Sequence, residues 1–276
     1  IGLTNTANSL MAIKKVVIAA AGQGTRMLEL SKDKSKHLIQ VKERPFLAYL
    51  IDNLLLAGYR ELILVVGFKN GLMSEFAKKY KAPNGIKKSD YQISVVNQCD
   101  ILGPKEKEYG TACPVKCVKD MVAEDSFIYL YGDNLFSVND LKAMAIEDKF
   151  CYVAGLKHKN PEKYGVLMPA RHSFATGDAG ERDGEDFLEE IIEKPQEFVG
   201  DLINAGLYKF TSEVFDKISQ IKKSPRGEYE ITDVISFLAK EKKVKIIEIK
   251  DYWLDFGNPE DIKKVAEFLD KNGYIK

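Results

Sequence analysis

Residues 16–26 read Val16-Val17-Ile18-Ala19-Ala20-Ala21-Gly22-Gln23-Gly24-Thr25-Arg26. Six apolar residues without alternation, closed by a glycine, predict a short strand buried on both faces, and such strands belong to parallel sheets. The turn that follows stands at the carboxyl edge of that sheet, where open α/β sheets place their ligands. Two glycines let backbone N–H groups approach an anion closely, and Arg26 adds a planar, permanently charged fork for phosphate oxygens. A tight turn carrying a solvated arginine is the competing reading. The third glycine of G-x-G-x-x-G is missing and no G-x-x-x-x-G-K-[ST] occurs in the chain, so dinucleotide-dependent dehydrogenase and P-loop chemistry drop out.

Downstream, Pro45 opens a helix whose apolar positions Phe46, Leu47, Leu50, Ile51, Leu54 and Leu55 recur at helical spacing until Gly58. Residues 62–66 read as the next buried strand, 72–80 as a helix ending before Pro83, 91–96 as a strand, 111–122 as a helix with Pro114 in its first turn, and 127–131 as another strand. Strands alternating with helices predict a parallel sheet covered on both faces by right-handed crossovers. Past Gly132 the texture changes, with strand-like stretches at 152–156, 165–168, 188–192 and 203–210. Helices at 231–239 and 259–272 flank a strand at 244–249, the last helix stopped by Gly273. The polar stretch 170–186, with Gly177, Gly180 and Gly184, reads as a surface loop or hairpin tip. The expected fold class is α/β: a Rossmann-like mixed, mostly parallel sheet with helices on both faces and an added, partly antiparallel portion. Residues 1–10 precede a natural-looking start at Met11 and are set aside as a tag or disordered extension. Residues 11–276 read as a single domain, with halves at 11–135 and 136–258 and a terminal helix at 259–276.

The 276 residues carry 41 basic and 41 acidic side chains and are 45% apolar and 30% charged, a folded rather than a disordered composition. Neutrality argues against nucleic acid as the main partner. No uninterrupted apolar run exceeds six residues, far short of the roughly 20 that a membrane span needs. The N-terminus lacks a secretory pattern, so no membrane partner is expected and the cytoplasm is the expected compartment. Cys99, Cys113, Cys117 and Cys151 form no C-x-x-C pair, and His37, His158 and His172 are scattered. Neither a zinc site nor a disulfide framework is suggested.

Lys36 stands ten residues beyond Arg26, placed to meet the same phosphates; a surface lysine is the plainer reading. Residues 127–131 end in Gly132-Asp133-Asn134, which sets a carboxylate at a strand's carboxyl end. Mg²⁺ takes one or two such carboxylates plus substrate phosphates, whereas a helix cap or turn acid is the alternative. Asp255, in Trp253-Leu254-Asp255-Phe256-Gly257, is embedded among apolar groups and needs a partner, either a metal or a backbone cap. Tyr164-Gly165-Val166, Glu193-Lys194-Pro195 and Asn204-Ala205-Gly206-Leu207-Tyr208 offer carboxylate, amide and aromatic groups beside strands, the set that recognises a polyol. Each by itself is an ordinary turn or strand edge.

Taken in order, these pieces make the chain resemble the sugar-phosphate nucleotidylyltransferases, the family that includes glucose-1-phosphate thymidylyl- and uridylyltransferases. The resemblance also rests on Ser35-Lys36, Tyr109-Gly110-Thr111-Ala112 and Gly227-Glu228-Tyr229-Glu230-Ile231-Thr232-Asp233, and it spans nearly everything from Met11 onward. It implies transfer of a nucleotidyl group from a nucleoside triphosphate, UTP or dTTP by preference, to a sugar 1-phosphate, glucose 1-phosphate by preference, with Mg²⁺ as cofactor. By the same resemblance Ala21, Gly22, Gly24, Thr25 and Arg26 hold the triphosphate, and Gln98, Gly110 and Thr111 face the base. Tyr164, Gly165, Glu193, Lys194, Asn204 and Tyr208 meet the sugar phosphate. Arg26, Lys36, Asp133 and Lys194 form the expected catalytic set, with Asp133 and Asp255 as metal ligands.

Three departures from the family pattern stand out: Ser35 occupies the usual place of a proline, Met27-Leu28-Glu29-Leu30 follows Arg26 without one, and the stretch 171–186 is longer than usual. The alternatives are a CTP-using or amino-sugar-phosphate enzyme and a non-catalytic relative that binds nucleotide sugars. A metal-dependent glycosyltransferase is disfavoured, because Asp133-Asn134-Leu135 is not an Asp-x-Asp motif. About 20 residues follow Asp255, enough for the terminal helix but not for a β-helix acetyltransferase domain. Dimers and tetramers are common among such enzymes, so a homo-oligomer is a further expectation.

Overall fold

The computed structural model describes residues 13–22, 26–27, 30, 35–67, 71–170 and 187–274. Gly24, Thr25 and the loop expected at 171–186 lie outside the described residues. Thirteen strands are formed among those described: β1 (Lys15–Ala20), β2 (Gln40–Val41), β3 (Arg44–Pro45), β4 (Glu61–Val66), β5 (Gln92–Asn97), β6 (Phe127–Tyr131), β7 (Asn134–Phe136), β8 (Cys151–Lys157), β9 (Gly165–Pro169), β10 (Leu188–Glu193), β11 (Leu202–Phe210), β12 (Val244–Glu248) and β13 (Trp253–Asp255).

The opening apolar run becomes β1, the parallel neighbour of both β4 and β6, with β5 parallel outside β4. Its side chains divide between two cores: Val16, Ile18 and Ala20 enter one, and Val17 enters the other. An unalternating sequence is what such two-sided burial requires. The added portion joins antiparallel: β11 pairs with β6, β8 and β9, and β10 continues outward from β9. β12 then lies parallel to β8. The α/β mixed sheet expected from the sequence is therefore present, its parallel half carrying β1 and its antiparallel half carrying the polar segments 164–165, 193–194 and 204–208.

The helix expected over 111–122 is instead two short turns, Cys113–Lys116 and Lys119–Val122. Val118, at φ −112° and ψ 8°, leaves the helical basin between them, and Ala123 at φ +51° ends the second. Several small elements escaped the sequence reading, among them the helices Gln98–Leu102, Val138–Ala143 and Val214–Ile218 and the β2–β3 and β7–β13 ladders. Among the described residues no helix is long and apolar enough to cross a membrane.

The terminal helix Pro259–Lys271 is anchored by Asp261, whose Oδ2 accepts from the backbone N–H groups of Gly257 (3.0 Å) and Asn258 (2.8 Å). These bonds fix the segment that leaves β13. Removing the cap with Asp261→Ala is expected to cost about 1–2 kcal/mol, read as a lower denaturant midpoint.

Candidate active site

At the carboxyl ends of β1 and β6 a cavity of about 180 Å³ opens. Ala21, Gly22, Lys36, Gln98, Gly110, Thr111 and Asp133 all line it, although they come from five separate stretches of the chain. Lys36 belongs to a single 3₁₀ turn, Lys36–Leu38, that runs directly into β2. Gln98 opens the short helix after β5 and is buried, and its Oε1 has no hydrogen-bond partner among the described residues. A buried carbonyl oxygen left unpaired is costly unless something else supplies a donor.

Gly110 and Thr111 reach the cavity because their loop is clamped to the segment 227–233. Tyr229 N–H donates to Tyr109 O (2.8 Å), and Ala112 N–H donates to Tyr229 O (2.9 Å). The Thr111 hydroxyl accepts from Ile231 N–H (2.9 Å) and donates to Glu230 Oε2 (3.2 Å). It therefore serves as a brace for the helix Ile231–Lys240 rather than as a free group.

The two aspartates, 122 positions apart, are brought to one corner by the β7–β13 ladder. Asp255 pairs with Asn134 across it, and Phe256 N–H donates to the backbone oxygen of Asp133 at 2.8 Å. Lys36 Nζ donates to Asp133 Oδ2. Burial works to raise the Asp133 carboxyl, but the Lys36 ammonium, followed by His37, outweighs it and holds the group below the usual carboxylate range. Asp255 is pushed up to about 6, first by burial and then by the charges of Asp133 and Asp261, against Lys36 and Arg26. The Arg26 guanidinium lies on this side of the corner, where a β-carbon on Gly257 would stand 3.3 Å from its Nη2.

His37 was given no role from sequence, yet it forms part of the cavity wall. Its Nδ1 and Ser35 Oγ are 2.7 Å apart, and burial, reinforced by Lys36, lowers its pKa to about 3. It is a neutral side chain at neutral pH. Among the described residues no group of three or more His, Cys, Asp and Glu side chains is placed to hold a metal.

Beyond the aspartates lies the end formed by the antiparallel strands. Gly165 leaves room for Glu193: a β-carbon there would approach Glu193 Oε2 to 2.9 Å, with Asn204 Cβ at 3.9 Å. Glu193, Gly165 and Asn204 are thus neighbours on β10, β9 and β11. Lys194 follows at φ +46°, a conformation uncommon for a residue with a side chain, and its N–H donates to Tyr164 O at 3.0 Å. The Tyr164 ring meets Trp253 edge-on at 5.8 Å and His158 at 5.0 Å.

Tyr208, expected beside the sugar, is fully buried, and its hydroxyl accepts from Asn204 Nδ2 at 2.8 Å. Its ring packs in the core, and its hydroxyl also lies 3.1 Å from that of Tyr131. Besides His37, the sequence leaves two further residues without a role. Glu230, buried, joins Thr111, Ser224 and Arg226, and Arg226 opposes the desolvation that raises the Glu193 carboxyl. Their shared signal was the segment 227–233, quoted without a role for its acids or for the arginine before it.

The nucleotidyl transferase family model matches residues 15–272. A UTP–glucose-1-phosphate uridylyltransferase of Haloferax volcanii is 30% identical over 262 residues, covering 92% of this chain and 96% of that protein. The chain belongs to the sugar-phosphate nucleotidylyltransferase family. A bifunctional sugar-1-phosphate nucleotidylyltransferase/acetyltransferase of Sulfurisphaera tokodaii is 33% identical over 254 residues, 92% of this chain and 55% of that one. The chain spans about half the length of such bifunctional relatives. Among solved structures, a UDP-glucose pyrophosphorylase complexed with UDP-glucose shares the fold at a TM-score of 0.78 and 22% identity, over 94% of this chain and 99% of that one.

Proposed function

We propose that this chain transfers a uridylyl or thymidylyl group from UTP or dTTP to glucose 1-phosphate, forming a nucleotide sugar and pyrophosphate. The observation that carries this reading is the β7–β13 ladder, which sets Asp133 and Asp255 together beside Lys36 at the mouth of the Gly22–Gln98–Gly110 cavity. A phosphate monoester has its second pKa near about 6 and attacks already ionised at neutral pH. No general base is required. The barrier lies in repulsion between anions and in aligning the attacking oxygen with the α-phosphorus.

Lys36 and Arg26 place positive charge beside the α-phosphate, and Lys194 does so at the sugar phosphate. Glu193 and Asn204 orient the sugar hydroxyls. The unpaired Gln98 Oε1 suits the N3–H of uracil or thymine, a donor that cytosine lacks. Asp133 and Asp255 fit Mg²⁺, because burial first and the Asp133 charge second raise the Asp255 carboxyl, and a divalent cation held between the two relieves both costs. When bound, that ion neutralises phosphate oxygens. The names of the Haloferax relative and of the UDP-glucose-bound structure support the choice of UTP and glucose 1-phosphate.

The test is pyrophosphate release with Mg²⁺ across UTP, dTTP, CTP, ATP and GTP, each against the 1-phosphates of glucose, N-acetylglucosamine and mannose. Release is expected with UTP or dTTP and to require glucose 1-phosphate. Release confined to CTP or to the amino sugar would move the assignment within the family. Silence from folded protein across the matrix would favour a nucleotide-sugar-binding relative without turnover.

A further inference from the structure

We propose that the Lys36 ammonium is a placeholder for the divalent cation: it holds Asp133 while no nucleotide is bound and gives the carboxylate up when a triphosphate offers it new acceptors. The inference rests on the reading of Asp133 as a metal-holding residue.

Three observations carry it. Lys36 Nζ is bonded to Asp133 Oδ2 with the two side chains only 10% and 22% exposed, so the pair is not a solvated surface contact. The lysine's backbone is held in place: Leu38 N–H donates to Ser35 O (2.9 Å), Ile39 N–H to Lys36 O (3.1 Å) and Phe46 N–H to Ile39 O (3.0 Å). Exchange of partners therefore falls to the flexible side chain. Finally, Lys36 and Asp133 line the same cavity as Gly22 and Gly110, so an ammonium released from Asp133 remains where phosphates would lie.

The energetics give the exchange its direction. A tethered ammonium competes for Asp133 at a high effective concentration, and Mg²⁺ gives up its waters reluctantly. A cation arriving alone must break a charge-assisted hydrogen bond and strand a lysine in a partly dry site. A cation arriving with a triphosphate brings oxygens that accept the released ammonium. Metal and triphosphate then bind with positive coupling, and linkage makes that coupling reciprocal. Lys36 is the element through which it passes.

The experiment uses Mn²⁺ alone as the probe, with free Mn²⁺ followed by electron paramagnetic resonance. The full chain is compared with Lys36→Met, Lys36→Gln, Asp133→Asn and the double variant Lys36→Met/Asp133→Asn, each shown to be folded by thermal melting. Both neutral variants at position 36 are expected to bind Mn²⁺ about tenfold or more tightly than the unaltered chain, since a hydrogen bond to a charged group is worth at least that factor. Adding Asp133→Asn should abolish the gain. Equal affinity with and without the lysine, while Asp133→Asn still weakens binding, would overturn the placeholder role and leave Asp133 a ligand. Affinity untouched by Asp133→Asn in either background would remove the metal reading itself.

Discussion

Asp133→Asn is expected to lower turnover by on the order of 10² or more while the protein stays folded, the loss that follows removal of one strong electrostatic contact from a transition state. Asparagine keeps the shape of the side chain, and the backbone oxygen that accepts from Phe256 N–H at 2.8 Å is not touched. The β7–β13 ladder and its Asp255–Asn134 pairing should therefore survive. What disappears is the negative charge that orders Lys36 now and that would hold Mg²⁺ with Asp255. The rate loss should appear mainly in kcat, because repulsion between the sugar phosphate and the α-phosphate is worst as they meet. Steady-state pyrophosphate release, alongside melting temperature, checks it. Near-normal kcat in folded protein would remove Asp133 from the chemistry and take the proposed reaction with it.

The reasons why some of this was legible and some was not are local. β1 and β6 announce themselves because two-sided burial leaves no polar position, as in 16–21 and 127–131, and their glycines mark where the chain turns back over the sheet edge. The family resemblance joins Asp133 and Asp255, but the ladder that brings them to one corner leaves no pattern of its own, because β7 and β13 are each three residues long, too short for any alternation to register. The same holds for the clamp between 109–112 and 229–231, which consists of backbone bonds between irregular segments and leaves no periodicity in either. Tyr208 stands among the sugar contacts only by the family resemblance. Residues 204 and 208 share parity on β11 and their side chains do meet, but the Tyr208 ring itself is packed in the core against Tyr129 and Phe210. His37 was passed over because a lone histidine carries no pattern; its role follows from Lys36 next to it and from the wall it forms.

The clamp on the side of the cavity proposed for the base makes Gly110 the position with the largest expected structural effect. Its φ of +133° is a conformation that side-chain-bearing residues rarely adopt, and an added β-carbon would stand 2.3 Å from Tyr229 O, 2.5 Å from Tyr229 N and 2.8 Å from its carbonyl carbon. All three are backbone atoms, so no rotamer change can relieve the clash. Tyr229 is itself held by its bonds to Tyr109 and Ala112. Gly110→Ala must therefore part the two segments or distort both. Strain and overpacking together are expected to cost about 3 kcal/mol or more, a fall in melting temperature of roughly 6 °C or more. Parting them also withdraws Thr111 from Ile231 N–H and shifts the wall opposite Gln98, so KM for the nucleotide should rise more than kcat falls. Asp133→Asn should show the reverse division, and that contrast would separate an effect on nucleotide binding from an effect on the chemical step. A Gly110→Ala protein with unchanged melting temperature and unchanged KM would show that the clamp yields freely and that the 227–233 segment does not set the geometry of the site.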